Sequence, residues 1–562
     1  MNVQAEPAAP SDQRETVLTG RSIAPGLGLG RAWVIGDLLK CSGAPQAISP
    51  DDVDHELLRL KQSVEETLAD LDRSAARIEF EFNTALGGIF RAHGVLLRDL
   101  FTSGELDREL RTSLLTAEAA VRRVFRRWYK QFEAVENPAL RERADDMLDM
   151  GRNVIRRLRG AAADGPQAMP EQSVLVVERL LPSDVVRLPK AKAMAVVVES
   201  LGQGSHAALL VREKGIPTIT GIPGIVSQVT NGTELLVDGF QGKLTVAPLP
   251  AARVEFQERV DRWRATLARC LGACREPARS LDGQLVRVEA NIGIRDDVEL
   301  ALDNGADGVG LLRIEQLYFA RNSPPSEAEL LGELKQLVAP LRQRPVTIRL
   351  LDIGGDKPLP YLRLAATPNP VLGRRGVRVL REYAQLARTQ LAAILRLAQE
   401  HPVRVLIPMV TLEEDVAAMR ALFDAVSTER KVAQPPEFGA MVETPAAALA
   451  IPALLKHVDF LCVGTNDLAQ YTLAAARDDA TVNDYYRDSH ESILRLLRII
   501  LADSKQRSVT LCGELAGRES IVPCLLQMGF RNLSVAPTAI PTTKAAVRRI
   551  NIGEQVAAAV DA

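Results

Sequence analysis

The sequence predicts an α/β multidomain protein: a mixed α/β domain with an inserted helical bundle, followed by a C-terminal (β/α)8 barrel of the TIM type. Three observations carry that expectation. The chain has 562 residues, too many for one ordinary core. Strand-like texture at 16–38 returns at 173–200, with a long helix-periodic block between. Eight apolar, β-rich runs then recur through the C-terminal half, most of them separated by helix-like segments. The expected bounds are 1–15 for a tail, 16–40 with 150–250 for the α/β domain, 41–149 for the helical subdomain, 251–279 for a linker helix and 280–562 for the barrel.

Taken in order, MNVQAEPAAPSDQRE is polar and rich in Pro and Ala, which suits a tail. VLTGRSIAPGLGLGRAWVIGD mixes glycines with β-branched residues, a strand-and-turn pattern. From about 50 to 159 the chain is charged and helix-periodic with almost no proline, as in a bundle. GAAADGPQAMPEQS (160–173) is a linker by composition, and SVLVVERL and AKAMAVVVES restore the strand texture. VEFQERVDRWRATLARCLGACRE reads as a connecting helix. The eight runs are LVRVEA (285–290), GVGLL (308–312), VTIRLL (346–351), RVLIPM (404–409), FGAMV (438–442), DFLCV (459–463), SVTLC (508–512) and NLSVA (532–536). A doubly wound open sheet is the rival arrangement, and the count of eight favours a closed barrel.

Composition sets the class. With 69 basic and 71 acidic side chains the net charge is −2, which argues against a general nucleic-acid or membrane-surface binder. Cys41, Cys270, Cys274, Cys462, Cys512 and Cys524 lack framework spacing, which fits the reducing cytoplasm. Cys270 and Cys274 lack nearby His or further Cys, so packing explains them better than a metal. No apolar run is long enough to span a membrane, and ILRLLRIILA carries arginines at amphipathic spacing.

Active residues of a (β/α)8 barrel sit at the C-terminal ends of its strands. Here those ends carry Asn291, then Arg313 and Glu315, then Arg349 with Asp352 and Lys357, then Glu443, then Asn466 and Asp467 with Arg477 beyond, then Cys512. Each alone has a bland reading: a rim salt bridge, a surface carboxylate, a small buried hydrophobe. Together they form a specific inventory. Arginines grip phosphate and carboxylate bidentately. Glu443 and Asp467 are hard oxygen ligands suited to Mg²⁺. Cys512 can exchange a proton. Cys462, inside its strand, is left as a core residue.

The chain has six histidines, and His206 stands apart in GQGSHAALLVREKGIPTITG (202–221). Gly215 and Pro217 end a helix that His206 begins. At a helix start the positive dipole end favours a neutral imidazole and welcomes a phosphoryl group. A packed ring is the alternative. A zinc site lacks further ligands at the right spacing.

The segments GQGSHAALLVREKGIPTITG, NGADGVGLLRIEQLY, RLLDIGGDKPLPY, NPVLGRRGVR, MVETPAA, VGTNDLAQYTLAAARD and LCGELAG together resemble Enzyme I of the phosphoenolpyruvate-dependent phosphotransferase system, over about residues 17–552. The resemblance implies a swivelling phosphohistidine α/β domain and a phosphoenolpyruvate-binding barrel. It implies phosphorylation of His206, phosphoenolpyruvate contacts at Arg313, Arg349, Arg375, Asn466, Asp467 and Arg477, Mg²⁺ on Glu443 and Asp467, and Cys512 as proton donor. It implies docking of a small HPr-type phosphocarrier protein on the helical subdomain, a homodimer through the barrel, release of pyruvate, and hinges near 250–280. The chain departs from the family at Leu181 and Gly204, where threonines are usual, at Ala476, where an aspartate is usual, and at Arg374, where an aromatic is usual. Pyruvate, phosphate dikinase and phosphoenolpyruvate synthase share the histidine domain and barrel, but no GxxxxGK[ST] run or other nucleotide lobe precedes the histidine domain here. A non-catalytic regulatory protein is the other rival, and the intact Glu443, Asp467 and Cys512 count against it.

Overall fold

The computed structural model describes the chain except residues 1–14, 37–38, 40–46, 82–83, 135–142, 161–164, 190, 203–204, 320, 322, 355–358, 360, 363, 365–368, 477–481, 483–484, 506 and 554–562. At residues 76–81, 84–87, 143, 206, 209, 213, 296 and 370 the backbone alone is described. The expected tail, Lys357, Gly204 and Arg477 therefore lie outside the described residues. The chain divides into two compact units, Met1–Arg264 and Ala265–Ala562.

The first unit is built on one sheet. Its strands are β1 (Thr16–Thr19), β2 (Arg21–Ala24), β3 (Leu27–Ile35), β4 (Ser173–Val177), β5 (Ala193–Val198), β6 (Thr218–Thr220), β7 (Glu234–Asp238) and β8 (Lys243–Val246). They lie in the order β1-β8-β7-β3-β4-β5-β6-β2, with β3, β4, β5 and β6 mutually parallel. Strands before and after the helical block share this sheet, so the block is an insertion between β3 and β4.

Every residue of SVLVV is buried, because both faces of this parallel region are covered. Leu175, Val177, Val196 and Val198 face one core, and Val174, Val176, Ala195 and Val197 the other, as the two-residue period requires. The first of these cores is shared with the bundle.

Among the described residues, the bundle consists of α1 (Val53–Glu81), α2 (Thr84–Thr102), α3 (Glu105–Ser113), α4 (Ala117–Glu133) and a helix at Arg143–Leu158. Leu60, Val64 and Leu71 on α1 recur at helical spacing and are buried against Val121, Val124 and Phe125 of α4 in the same core. The last helix runs to Leu158, past the expected limit of 149, and its C-terminal half is what joins bundle to sheet. Asp184 pairs with Arg156 at 2.8 Å and Arg152 at 3.6 Å. Asn153 donates to Ser183 Oγ at 2.9 Å, and Ser183 N donates to Asp149 at 3.1 Å. All these side chains are buried, so the charges compensate one another rather than meeting water.

The connecting helix is Pro250–Gly272, shorter at its end than the expected 251–279. It is no free linker. Phe256 and Val260 pack on Leu27 and Leu236 of the first sheet, and Cys270 is buried within the second unit.

The second unit is a closed eight-stranded parallel barrel. Its strands are Leu285–Ile292, Val309–Arg313, Val346–Arg349, Val403–Ile407, Phe438–Val442, Phe460–Gly464, Val509–Cys512 and Asn532–Val535, which match the eight runs read from sequence. The first strand pairs with both the second and the last, which closes the ring. Asn291 and Ser534 clasp this seam: Asn291 Nδ2 donates to the Ser534 carbonyl at 3.0 Å, and Ser534 Oγ donates to Asn291 Oδ1 at 2.7 Å. Among the described residues, no helix is long and apolar enough to cross a membrane.

Candidate active site

Strand ends bring most of the expected residues to one rim. Arg313 and Arg349 are register partners on the second and third strands. Arg313 is exposed, whereas Arg349 is buried. Arg349 donates to Glu315 at 2.8 Å and lies 3.4 Å from Asp352. Glu315 also accepts from the Asp352 amide at 3.0 Å, so it fixes both the guanidinium and the following turn.

Arg375 comes from far along the loop after the third strand, and a glycine is needed to bring it in. Gly354 has φ of +103°, and a Cβ there would meet the Arg374 carbonyl oxygen at 2.0 Å. Gly354 and Arg375 therefore form a backbone bridge. The Arg375 guanidinium then reaches two carboxylates. It donates to Asp352 at 3.2 and 3.0 Å and to Asp467 at 3.1 and 3.0 Å. The geometry is two-sided and bidentate, which a lysine cannot reproduce.

Glu443 follows the fifth strand and is 1% exposed. Its Oε1 accepts from the Met409 amide at 2.6 Å. Burial, with Asp467 and Asp352 close by, pushes its carboxyl up to about 8 despite Arg349 and Arg375. The dry site with its neighbouring carboxylates thus disfavours a further negative charge on Glu443. Asn466 and Asp467 occupy the first turn of helix Thr465–Leu473, both half-buried. Asn466 Oδ1 accepts from the Glu514 amide at 3.1 Å, which ties the loops after the sixth and seventh strands together.

Cys512 ends the seventh strand, fully buried. A hydrogen bond with Cys462 and burial hold its thiol well above the ordinary range, so it keeps its proton at neutral pH. Cys462 is packed in the barrel core with Leu311, Leu406 and Met441, as expected, but its contact with Cys512 is not legible in the spacing. A second residue escapes the sequence reading. Glu289, on the first strand, is 2% exposed and its Oε2 has no partner among the described residues. Burial raises its carboxyl. The available signal is an acid at an inward position of LVRVEA, between Val288 and Ala290.

In the first unit, His206 is the first residue of helix His206–Lys214, as the sequence implies. Ser205 caps it, its Oγ accepting from the Ala208 amide at 3.3 Å, and Gly215 closes it with φ of +64°. Lys214 donates to the carbonyls of Val185, Val186 and Leu188, at 2.7, 3.2 and 3.2 Å, and so anchors the helix on Pro182–Arg187.

A metal fits the rim on chemical grounds. Glu443 and Asp467 are hard oxygen donors whose mutual repulsion a cation would relieve, and two protein carboxylates plus substrate oxygens are a usual Mg²⁺ set. No cluster of three or more His, Cys, Asp or Glu side chains suited to a metal occurs among the described residues. Substrate and water would therefore complete any coordination sphere.

Comparison with known proteins agrees with this architecture. The model of the PEP-utilising enzyme PEP-binding domain matches residues 271–552, that of the N-terminal domain 19–143 and that of the mobile domain 169–242. Similar proteins named phosphoenolpyruvate-protein phosphotransferase include one from Geobacillus stearothermophilus, 32% identical over 96% of this chain and 94% of its own. Another, from Bacillus sp. (strain S), is 32% identical with the same coverage of each chain. A third, from Priestia megaterium, is 31% identical over 90% of this chain and 89% of its own. Barrel, inserted bundle and matched sequences place the chain in the phosphoenolpyruvate-protein phosphotransferase (Enzyme I) family of PEP-utilising enzymes.

Proposed function

We propose that the chain transfers the phosphoryl group of phosphoenolpyruvate to its own His206, releases pyruvate, and passes the group to a histidine of a small HPr-type phosphocarrier protein, the first step of a phosphotransferase system. The observation that carries this reading is the meeting of Arg349, Arg375, Glu443 and Asp467 at the barrel rim, in a chain whose mobile domain starts a helix with His206.

The arginines orient the substrate. Arg313, exposed beside Arg349, is placed to hold phosphate or carboxylate oxygens, with Arg375, Asn466 and Arg477 completing the grip. Glu443 and Asp467 would hold Mg²⁺, which supplies charge neutralisation of the phosphoryl group when bound. Each oxygen of Asp467 accepts one hydrogen bond from Arg375 and keeps a further lone pair for the ion. An imidazole nitrogen of His206 bonds to phosphorus as the bond from phosphorus to the enol oxygen breaks, and the electron pair stays on that oxygen. The Cys512 thiol gives its proton to the methylene carbon of the enolate, and the thiolate regains a proton from solvent. The helix that begins at His206 must meet the barrel rim for the first step and the carrier for the second, which motion at the connecting helix would permit.

The barrel is the dimer interface in this reading, and the cytoplasm is the site of action. The buried free thiols Cys270, Cys274, Cys462 and Cys512 suit a reducing compartment. The test is incubation with labelled phosphoenolpyruvate and Mg²⁺ without ATP. Acid-labile label on the wild type and none on His206→Ala is expected. No label on the wild type, or equal label on the variant, overturns the reading.

A further inference from the structure

The seventh, eighth and first barrel strands set three polar side chains in one row. Cys512 is the register partner of Ser534, and Ser534 is the register partner of Glu289. Partners on neighbouring parallel strands project to the same side of the sheet. Leu511, Leu533 and Val288, one residue earlier on each strand, belong to the core shared with the outer helices. Cys512, Ser534 and Glu289 therefore turn into the barrel, where Cys512 packs with Leu311, Leu406 and Met441. All three are buried. Gly310, on the second strand, leaves room for the row. A Cβ there would lie 2.5 Å from Ser534 Oγ and 2.8 Å from Glu289 Oε2, so any larger residue would displace one or the other. The hydroxyl and the carboxyl thus border the same small space.

The two ends of the row differ in what they hold. Ser534 Oγ donates to Asn291 Oδ1 at 2.7 Å and also hydrogen-bonds the Cys512 sulfur. Glu289 Oε2 has no partner among the described residues. A dry carboxyl without a partner keeps its proton rather than carry a charge. Burial opposes loss of that proton most strongly, and Asp307, ahead of the second strand, adds to it. Arg404 on the fourth strand and Arg287 on the same strand ease the loss. Cys512 faces Glu289 from the seventh strand, with Cys462 of the sixth beside it. The row is therefore a held proton at one end and, at the other, the thiol that the reaction empties.

We infer that Glu289 is an internal proton store that restores the Cys512 thiol through the Ser534 hydroxyl; this rests on the proton-donor role proposed above for Cys512. When Cys512 gives its proton to the enolate, sulfur keeps the electron pair of the S–H bond. Cys512 is fully buried, so bulk water does not touch that sulfur. The Ser534 hydroxyl turns from Asn291 to the thiolate, and its hydrogen crosses to form the new S–H bond. The Glu289 carboxyl hydrogen moves to Ser534 Oγ in the same event, which leaves Glu289 as the carboxylate beside Arg404. Solvent returns one proton to Glu289 before the next turnover. Water is the net source, and nothing is oxidised or reduced.

The experiment follows exchange of carbon-labelled pyruvate into phosphoenolpyruvate by the full chain, in heavy water with Mg²⁺ and no carrier. Label exchange needs only a hydrogen passing from Cys512 to the enolate and back. Deuterium enters the methyl group of pyruvate only when the thiol itself equilibrates with solvent. In the wild type deuterium entry should keep pace with label exchange, with Cys512→Ala giving the background. In Glu289→Gln, which keeps the size but has no acidic proton, the deuterium gained per label exchanged should fall about tenfold. The same fall is expected in Ser534→Ala, which removes the intermediate hydroxyl. A wild-type ratio in either variant overturns the inference. So does a parallel fall of both rates that leaves the ratio unchanged, since the row would then only shape the site. A wild type that exchanges no label overturns the proposed function and this inference with it. A wild type that exchanges label, with variants that keep its ratio, removes this inference alone.

Discussion

Replacing Arg375 by methionine tests the electrostatic logic of the barrel rim most directly. The guanidinium makes four charge-assisted hydrogen bonds, two to Asp352 and two to Asp467. Asp352 is 0% exposed and Glu443 is 1% exposed. Without Arg375, three carboxylates share the site, with Arg349 the remaining buried guanidinium beside them, 3.4 Å from Asp352. Removing one partner of a buried ion pair costs about 3–5 kcal/mol, because the other charge stays dry and uncompensated. In a unit of this size 1 kcal/mol moves Tm by about 2–4 °C, so the barrel transition should fall by about 6–20 °C. Scanning calorimetry of the full chain near neutral pH reads this directly. Adding Asp352→Asn removes the stranded charge and should recover more than half of the loss. A shift of less than about 3 °C, or no recovery in the double variant, would refute the reasoning: the pair would then be exposed enough for water to take over.

Three further changes address separate parts. Cys512→Ala should slow single-turnover pyruvate formation by about 10²-fold or more, with phosphoenolpyruvate affinity within about threefold of wild type; a large loss of affinity would make the thiol a packing group. Glu289→Gln should flatten the pH dependence of barrel stability. The raised carboxyl of Glu289 means the folded state holds its proton more tightly than the unfolded state. Its contribution is therefore complete below the ordinary glutamate range and is lost as pH rises through the raised value, so melts at acid and mildly alkaline pH should converge in the variant; an unaltered pH slope would contradict this. Asp184→Asn should cost about 3–5 kcal/mol by stranding Arg152 and Arg156. Hydrogen exchange should accelerate in Arg143–Leu158 and Pro182–Arg187 together, and unchanged protection there would show that the network does not join bundle to sheet.

Sequence alone determined the architecture because its signals are local and periodic. Eight short β-rich runs separated by helix-like segments can close only a few kinds of sheet, and a break in texture at about residues 50–159 marks an insertion. The helix start at His206 was also legible, since glycine, serine and a downstream glycine act within one turn. What only the tertiary structure decided are contacts between residues distant in the chain. Arg375 meets Asp467 across 92 positions because Gly354 adopts a backbone that folds the loop inward. Cys462 hydrogen-bonds Cys512 because barrel staggering sets neighbouring strands side by side, and the buried Glu289 reports a dry interior that no pattern of apolar residues announces. Periodicity records which face of an element is covered; it carries no record of which distant charge comes to lie against it.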